Sequence, residues 1–236
     1  MKIGLISGEF PPMPGGVGDF TRSLAERIRD HGHQVHILSR RGSTSETLNV
    51  STLSGWGLGS LPAIRSWARQ HSLDIVNLQY QTAAYGMSPF IHFLPAAIDA
   101  PLITTFHDLR YPYLFPKAGR LRDWIVMRLA RSSAGIITSN QEDDLRLKRL
   151  PNRRIIPIGS SIPRANRGDS VAVTAPWRAP ADANSFLLGH FGFVNAVKGI
   201  DYLIEALANL RSAGHDLRLH PAPAGRRLGG PVGCRH

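Results

Sequence analysis

The stretch KIGLISGEFPPMPGGVGDFTRSLAERIRDHGHQVHILS, residues 2–39, contains two short apolar runs on either side of a segment with helical spacing. The runs KIGLIS (2–7) and QVHILS (34–39) are rich in the residues that buried strands favour. Between them, apolar residues recur at helical intervals: Val17, Phe20, Leu24 and Ile28. A strand, a helix and a second strand in this order predict a right-handed βαβ unit with parallel strands.

The same alternation continues along the chain. Further strands are predicted at residues 74–79, 101–108, 134–140 and 153–159, and further helices at 61–70, 87–98, 119–131 and 141–150. The helix at 87–98 is predicted to be buried because it is almost entirely apolar. Alternating strands and helices predict an α/β fold: a Rossmann-like, doubly wound parallel sheet with helices on both faces. Ligands of such sheets bind at the carboxyl ends of the strands.

The composition changes after residue 164. Ala, Pro, Gly and charged residues then mix without a period, which is typical of a linker. A strand (186–191), a helix and a candidate second strand (215–220) follow, and they predict the opening of an incomplete second Rossmann-like domain. Gly, Pro and Arg replace any core pattern near the end of the chain. The predicted parts are a first domain, a linker, a fragment of a second domain and a disordered tail: residues 1–164, 165–185, 186–219 and 220–236.

The net charge of +11 at pH 7 raises the question of nucleic acid binding. Nearly all of the excess is arginine, since only four of the 28 basic residues are lysines. No zinc-finger spacing, RNP-like aromatic motif or compact basic recognition helix accompanies it, so no nucleic acid partner is predicted. The single cysteine, Cys234, cannot form an internal disulfide, and no apolar run is long enough to span a membrane. We therefore expect a cytoplasmic protein.

A glycine pair, Gly15-Gly16, follows the first predicted strand and precedes a helix. Such a loop lets backbone N–H groups approach an anionic ligand, and the helix dipole favours the negative charge. The loop is not a Walker loop, since no Gly-Lys-Ser/Thr follows, and it lacks the third glycine of the dinucleotide fingerprint. An NADP site, with Arg40 and Arg41 on the 2′-phosphate, stays open as an alternative.

His107 and Asp108 lie at the carboxyl end of the predicted strand 101–108. A histidine in this place can hydrogen-bond sugar hydroxyls or share a proton, and Asp108 stands beside it in the chain. The three histidines of residues 31–36 span a helix end and a strand, so their rings are expected to diverge. No metal site is therefore predicted.

Lys198-Gly199 stands at the entrance to the helix of the predicted second domain. An ammonium group beside a helix N-terminus suits a diphosphate. Taken alone, a Lys-Gly pair is typical of any surface loop, so its interpretation depends on the motifs around it.

These motifs in this order resemble the GT4 family of retaining, nucleotide-sugar-dependent glycosyltransferases, whose members have the two-domain GT-B fold. The motifs are FPPMPGGVGDF (10–20), GHQVHILS (32–39), TTFHD (104–108), IITSNQ (136–141) and GFVNAVKGIDYLIEAL (192–207). The resemblance implies transfer of a sugar from a nucleotide-sugar donor to a glycan or lipid-linked acceptor. It also implies retention of configuration, no required metal or other cofactor, and a cleft between two Rossmann-like domains.

The resemblance implies roles for individual residues as well. Gly15 and Gly16 would approach the donor phosphates. His107, followed by Asp108, would face the transferred sugar and the acceptor. Lys198, followed by Gly199, would neutralise the diphosphate leaving group, because a fixed cation stabilises the charge that develops on the departing phosphate.

The sequence departs from the family pattern at two places. Phe193 stands where the family commonly has an arginine five residues before the lysine. The family's pair of glutamates eight residues apart is missing from the sequence. We therefore expect a truncated transferase that is weakly active or inactive. A non-catalytic fragment that binds an acceptor or a membrane is the alternative.

Residues 110–131 combine aromatic and basic side chains in a loop and a predicted helix. This composition suits an interface of anionic headgroups and predicts peripheral contact with the inner face of the membrane. In the opposing interpretation the arginines face water and one apolar stripe of the helix faces the core. That stripe consists of Leu121, Trp124, Ile125 and Leu129.

Overall fold

Seven parallel strands form the sheet of the first part of the chain. The computed structural model describes residues 1–109, 119–160, 186–192 and 198–223. It divides the chain into two compact units, Met1–Ser161 and Ile162–His236, and each unit is described by itself. The seven-stranded sheet belongs to the first unit and confirms the predicted α/β class.

The apolar runs of the sequence form strands, and the stretches with helical spacing form helices between them. The strands are β1 (Lys2–Ser7), β2 (Gln34–Arg40), β3 (Asn49–Leu53), β4 (Ile75–Tyr80), β5 (Leu102–Phe106), β6 (Gly135–Thr138) and β7 (Arg153–Ile155). The helices are α1 (Gly16–Asp30), α2 (Ser60–Gln70), α3 (Leu94–Ala97), α4 (Gly119–Ser132) and α5 (Gln141–Arg146). Two 3₁₀ helices lie at Thr82–Tyr85 and Phe90–Phe93.

The strand order is β3-β2-β1-β4-β5-β6-β7, so the chain winds outwards from β1 in both directions. All neighbouring strands pair in parallel. Successive residues of β1 enter different cores: Leu5 belongs to a core with Ala25 of α1, and Ile6 to a core with Ile64 and Trp67 of α2. The predicted doubly wound sheet, covered on both faces, is therefore confirmed. Its direction of winding changes between β1 and β4.

The prediction of one buried helix at 87–98 is wrong in type. Phe90–Phe93 form a 3₁₀ helix, and Leu94–Ala97 form a single α-helical turn. Pro89 and Pro95 lack the N–H group that a helix interior needs, so one hydrogen-bond ladder cannot run through the segment. Ile91 and Leu94 are buried, as the apolar composition of the segment predicts.

Strand β7, at one edge of the sheet, and helix α5 before it are shorter than predicted. The strand predicted at 153–159 is limited to Arg153–Ile155, because Pro157 has no N–H group for the ladder with β6. The helix predicted at 141–150 ends at Arg146, where Leu147 forms the C-cap. Strand β3, at the opposite edge, is absent from the prediction because its residues form no continuous apolar run.

The apolar stripe predicted for α4 is partly wrong. Leu129 is buried, but Leu121 and Trp124 are 65% and 53% exposed. The interpretation that places Trp124 in the core therefore fails, because the N-terminal half of α4 turns these side chains outwards. Among the described residues, no helix combines the length and the apolar character that crossing a membrane requires.

The described part of the second unit contains two parallel strands and a helix. β8 (Phe186–Gly192) pairs with β9 (Leu217–Pro223), and α6 (Ile200–Ser212) lies between them in the chain. These are the strand, the helix and the second strand that the sequence predicts for this part of the chain. Leu217 is buried, whereas no residue of α6 is.

Pairing with β8 carries β9 to Pro223, past the residue 220 at which the tail is predicted to begin. The rest of the predicted tail, residues 224–236, lies outside the described residues. The predicted linker at 165–185 lies outside them as well.

Candidate functional site

The carboxyl ends of β1, β4 and β5 lie side by side, next to the point where the direction of winding changes. β1 and β4 are neighbours there, with Ser7 opposite Gln79, and Gln79 in turn lies opposite Thr105 of β5. The carboxyl ends of parallel strands lie on the same side of the sheet. The loops that follow these strands therefore surround the crevice in which ligands of doubly wound folds bind. The site residues predicted for the first domain follow two of these strands: Gly15, Gly16, His107 and Asp108.

His107 follows β5 directly and is held from several directions. Its backbone N–H donates to the carbonyl oxygen of Tyr80 at 3.1 Å. Its Nε2 atom lies 2.8 Å from Oε1 of Gln79. The ring of Phe20 in α1 meets the imidazole edge to face, with ring centroids 5.2 Å apart. Burial lowers the pKa of His107 to about 4, because the charged imidazolium would lose its hydration. The imidazole is therefore neutral at physiological pH.

Polar side chains connect His107 to the interior of the sheet. Gln79 is fully buried, and its Nε2 donates to Oδ1 of Asn77. The Asn77 amide donates to the carbonyl oxygen of Ile103 at 3.3 Å and to Oγ1 of Thr105 at 3.0 Å. Side chains alternate along a strand, which puts these residues of β4 and β5 on one face. We call Thr105, Asn77, Gln79 and His107 the polar ladder.

The loop after β1 is closed by the carboxylate of Glu9. Its Oε1 accepts hydrogen bonds from the backbone N–H groups of Val17 at 3.1 Å and Gly18 at 3.3 Å. The carboxylate thus caps the first turn of α1, where the helix dipole favours negative charge. A Cβ atom on Gly15 would displace this carboxylate, whereas a Cβ atom on Gly16 would meet no atom within 4 Å.

The 3₁₀ helix Thr82–Tyr85 packs against the ends of β1 and β4. The buried Tyr85 hydroxyl lies 3.1 Å from the carbonyl oxygen of Ile6 and 3.0 Å from that of Gln79, so it bridges the two strands. Burial raises the pKa of Tyr85 well above its usual range, which keeps the hydroxyl protonated and able to donate. A Cβ atom on Gly8 would lie 2.5 Å from the carbonyl carbon of Ala84. The absence of a side chain at Gly8 therefore allows this close packing.

Asp108 lines a small cleft of about 70 Å³ beside α4 and α5, together with Met127 and Arg146. The next residue, Leu109, is tied to α5 through both of its backbone groups. Its N–H donates to Asp143 at 3.3 Å, and its carbonyl oxygen accepts from Arg146 at 2.6 Å. The structure thus places His107 on the polar ladder and Asp108 at this cleft.

Comparison with known proteins identifies the family. Residues 15–159, more than half of the chain, match the family described as "Glycosyl transferase 4-like domain". The chain belongs to this glycosyltransferase family. The matched range begins at Gly15 and contains the whole polar ladder, whereas Gly8 and Glu9 precede it.

A curated relative of this glycosyltransferase is a phosphatidyl-myo-inositol mannosyltransferase of Propionibacterium freudenreichii. The two sequences are 25% identical over 244 residues, which cover 93% of this chain and 61% of the relative. The chain therefore spans less than two thirds of that relative's length.

Two solved structures share the fold of this glycosyltransferase. A glycosyltransferase from Rickettsia africae has a TM-score of 0.65 at 11% identity, and the match covers 93% of this chain and 68% of that one. The catalytic domain of starch synthase IV from Arabidopsis thaliana, bound to ADP and acarbose, has a TM-score of 0.61 at 13% identity, with 94% and 68% covered. These likenesses concern the fold, and they confirm the predicted Rossmann-like GT-B class.

The predicted donor-binding residues Lys198 and Gly199 lie in the second unit of the glycosyltransferase. Gly199 is the N-cap of α6 and has a φ of 63°, a left-handed conformation that glycine adopts without strain. Its carbonyl oxygen accepts from the N–H of Leu203 at 3.1 Å, which begins the helix. Lys198 is exposed and immediately precedes this turn.

Sequence reasoning missed the residues that hold His107 in place. Asn77 and Gln79 are two amides at alternate positions of a largely apolar strand, a pattern that could have identified them as partners of a site. Phe20 has the spacing of a core residue of α1, which hides its contact with the imidazole. Glu9 caps a helix that begins seven residues later, so no local capping signature reveals it.

Proposed function

We propose that the chain transfers a sugar from a nucleotide-sugar donor to a glycan or lipid-linked acceptor with retention of the anomeric configuration. The observation that carries this proposal is the neutral, half-buried His107 beside the switch point of the sheet. Doubly wound folds bind their ligands at this edge, and a sugar hydroxyl needs a polar partner of this kind. Membership of a glycosyltransferase family supports the same reaction class.

The protonation of His107 favours one of its two predicted roles. With a pKa of about 4, the imidazole is too weak a base to take a full proton from a hydroxyl efficiently near pH 7. Nε2 faces Gln79, and Nδ1 makes no hydrogen bond to any residue within the described ranges. We assign Nδ1 the task of accepting a hydrogen bond from a sugar hydroxyl, which orients the sugar for transfer.

The glycines after β1 are assigned to the donor phosphates. Gly16 has open space where a side chain would stand, so an anion could approach the backbone there. Glu9 holds the N–H groups of Val17 and Gly18, and a phosphate that used these groups would have to displace its carboxylate. Binding of the donor therefore includes a movement of Glu9 in this proposal.

Lys198 is assigned to the diphosphate that leaves with the nucleoside. Breaking the bond between the sugar and the diphosphate develops negative charge on the leaving oxygen, which a fixed cation stabilises. The left-handed turn at Gly199 sets Lys198 at the N-terminal end of α6, where the helix dipole acts in the same direction.

The proposal is tested with the purified chain and a panel of UDP-, GDP- and ADP-sugars. We expect slow release of the nucleoside diphosphate from one nucleotide class, in the presence of phosphatidylinositol or a glycan acceptor. Lys198→Ala should lower this rate roughly 100- to 1,000-fold, the loss typical of removing one group that stabilises developing charge. Arg211→Ala is the matched control, because Arg211 is an exposed cation in the last turn of the same helix.

The product's anomeric proton coupling, measured by NMR, tests retention. An inverted product would contradict that part of the proposal. If neither binding nor release is detected with any nucleotide-sugar, the transferase function of this chain is wrong and the binding fragment remains.

A lipid-linked acceptor is favoured by a specific observation on α4. Leu121 and Trp124 are both more than half exposed. Arg131 is exposed near the end of the same helix. Exposed apolar and basic side chains on one helix suit contact with anionic headgroups, each cation contributing about 1 kcal/mol. The mannosyltransferase relative is named for a phospholipid, which agrees with this acceptor class. We propose peripheral binding at the inner face of the membrane.

Vesicle sedimentation tests this contact. We expect the chain to bind phosphatidylglycerol vesicles at low salt, and Trp124→Ala to lower the partition coefficient roughly tenfold because the side chain loses its apolar burial. Leu58→Ala is the control, because Leu58 is as exposed as Leu121 (65% each) but lies in the loop before α2. No binding at low salt, or equal effects of Trp124→Ala and Leu58→Ala, would contradict the proposed contact.

A further inference from the structure

Two side-chain amides inside one strand of the sheet need an explanation. A buried amide costs free energy unless its hydrogen bonds are made, and an apolar residue at either position would avoid the problem. Gln79 is fully buried and Asn77 is half-buried, yet both amides are bonded within the polar ladder. A paired arrangement of this kind fixes the orientation of every member.

The hydrogen bond between Asn77 and Ile103 determines which atoms donate and which accept along the polar ladder. The Ile103 carbonyl oxygen can only accept, so the Asn77 nitrogen must point towards it, and Asn77 Oδ1 is left to accept. Gln79 therefore donates to Asn77 through Nε2 and presents Oε1 to His107. An oxygen that can only accept requires a donor opposite it, which makes His107 Nε2 the protonated nitrogen.

We propose that Gln79 is a positioning residue that holds His107 in the Nε2–H tautomer and leaves the lone pair of Nδ1 for a substrate hydroxyl. The use of this lone pair rests on the proposed function, whereas the tautomer itself does not. Phe20 holds the same ring by its edge contact. Among the described residues, the side chains that hydrogen-bond or stack with the imidazole are Gln79 and Phe20, and both are uncharged.

Long-range ¹H–¹⁵N NMR of the unliganded, ¹⁵N-histidine-labelled chain measures this tautomer. The His107 signal is assigned by its loss in His107→Gln. We expect the Nε2–H pattern for His107. His92 gives an internal reference of the opposite kind, because its Nδ1 lies 2.9 Å from the Pro89 carbonyl oxygen and its Nε2 lies 2.8 Å from the Tyr80 hydroxyl. An Nδ1–H pattern for His107 in the wild-type protein overturns the proposal without any variant at position 79.

Gln79→Glu tests the causal role of the side chain. The carboxylate keeps an acceptor opposite Nε2 but adds a negative charge, so the pKa of His107 should rise by roughly 1–3 pH units. Gln79→Leu removes the acceptor, and His107 should become a mixture of both tautomers. His92 and His36 should titrate as in the wild-type protein, which distinguishes a local effect from general loosening of the fold.

The outcomes separate this inference from the proposed function. If His107 titrates and partitions between tautomers identically in the wild-type, Glu and Leu proteins, Gln79 has no positioning role. If the NMR results are as expected but no sugar is transferred, the polar ladder stands and the proposed function fails. If Gln79→Glu does not fold, Gln79→Leu and the wild-type measurement still decide the matter.

Discussion

Gly8→Ala should lower the free energy of unfolding of the first unit by about 3 kcal/mol, at the upper end of the usual cost of overpacking. The new Cβ atom would lie 2.5 Å from the carbonyl carbon and oxygen of Ala84, which are backbone atoms and cannot rotate away. The 3₁₀ helix that carries them is anchored by the buried Tyr85 hydroxyl on the Ile6 and Gln79 carbonyls. Moving the helix outwards therefore breaks these bonds, and moving β1 disturbs the centre of the sheet.

Urea and thermal unfolding followed by circular dichroism measure this effect, and the melting temperature should fall by roughly 6–12 °C. Gly16→Ala is the matched control, because alanine there meets no atom within 4 Å and stands in the first turn of α1. We expect Gly16→Ala to change stability by less than about 1 kcal/mol, since alanine is the better helix former. Equal midpoints for the two variants would show that the packing of Ala84 on Gly8 is not as described.

The Gly16→Ala variant also separates an effect on donor binding from an effect on folding. If the donor phosphates approach the backbone at Gly16, Gly16→Ala should keep its stability but bind the donor more weakly. A stable Gly16→Ala variant with unchanged donor affinity would remove Gly16 from the proposed site.

The fold could be predicted because its information is local. Each strand of the first βαβ unit is an apolar run, and the helix between them repeats at helical spacing, so class and connectivity follow from neighbouring residues. The errors fall where a local rule was overridden. Pro89 and Pro95 divide an apolar segment that composition alone favours as one helix. Trp124 has the spacing of a core residue but is exposed, which spacing alone does not reveal.

The candidate site was predictable only in part, for a related reason. His107 could be placed at the site because it ends a strand, and strand ends are where ligands bind in this fold. Its partner Gln79 lies 28 residues away in sequence and meets it through the register of β4 and β5, which the sequence does not state. Glu9 is similar, because its carboxylate reaches the helix through the shape of the loop. Side chains that act across strands or loops thus escape a reading based on local pattern.

Two substitutions of His107 should affect transfer to very different extents. The amide oxygen of asparagine stands as many bonds from Cβ as Nδ1 does, whereas the amide of glutamine reaches the position of Nε2. His107→Asn should keep an acceptor for the sugar hydroxyl and lose the bond to Gln79. His107→Gln should keep the bond to Gln79 and lose the acceptor. We expect the rate to fall about tenfold for His107→Asn, and roughly 100- to 1,000-fold for His107→Gln.

The transfer assay with the donor class found active measures both rates, and circular dichroism confirms that both variants are folded. If the glutamine variant is the more active of the two, Nε2 rather than Nδ1 serves the substrate and the assigned orientation is wrong.

The pH dependence of the transfer rate gives an independent check on the same assignment. Burial lowers the pKa of His107 to about 4, so its protonation state does not change between about pH 5 and 9 and contributes no limb to the rate profile there. A limb near pH 6.5 in the wild-type profile that disappears in His107→Asn would show that the imidazole titrates during catalysis. In that case His107 acts as a base, and substrate binding raises the pKa that burial had lowered.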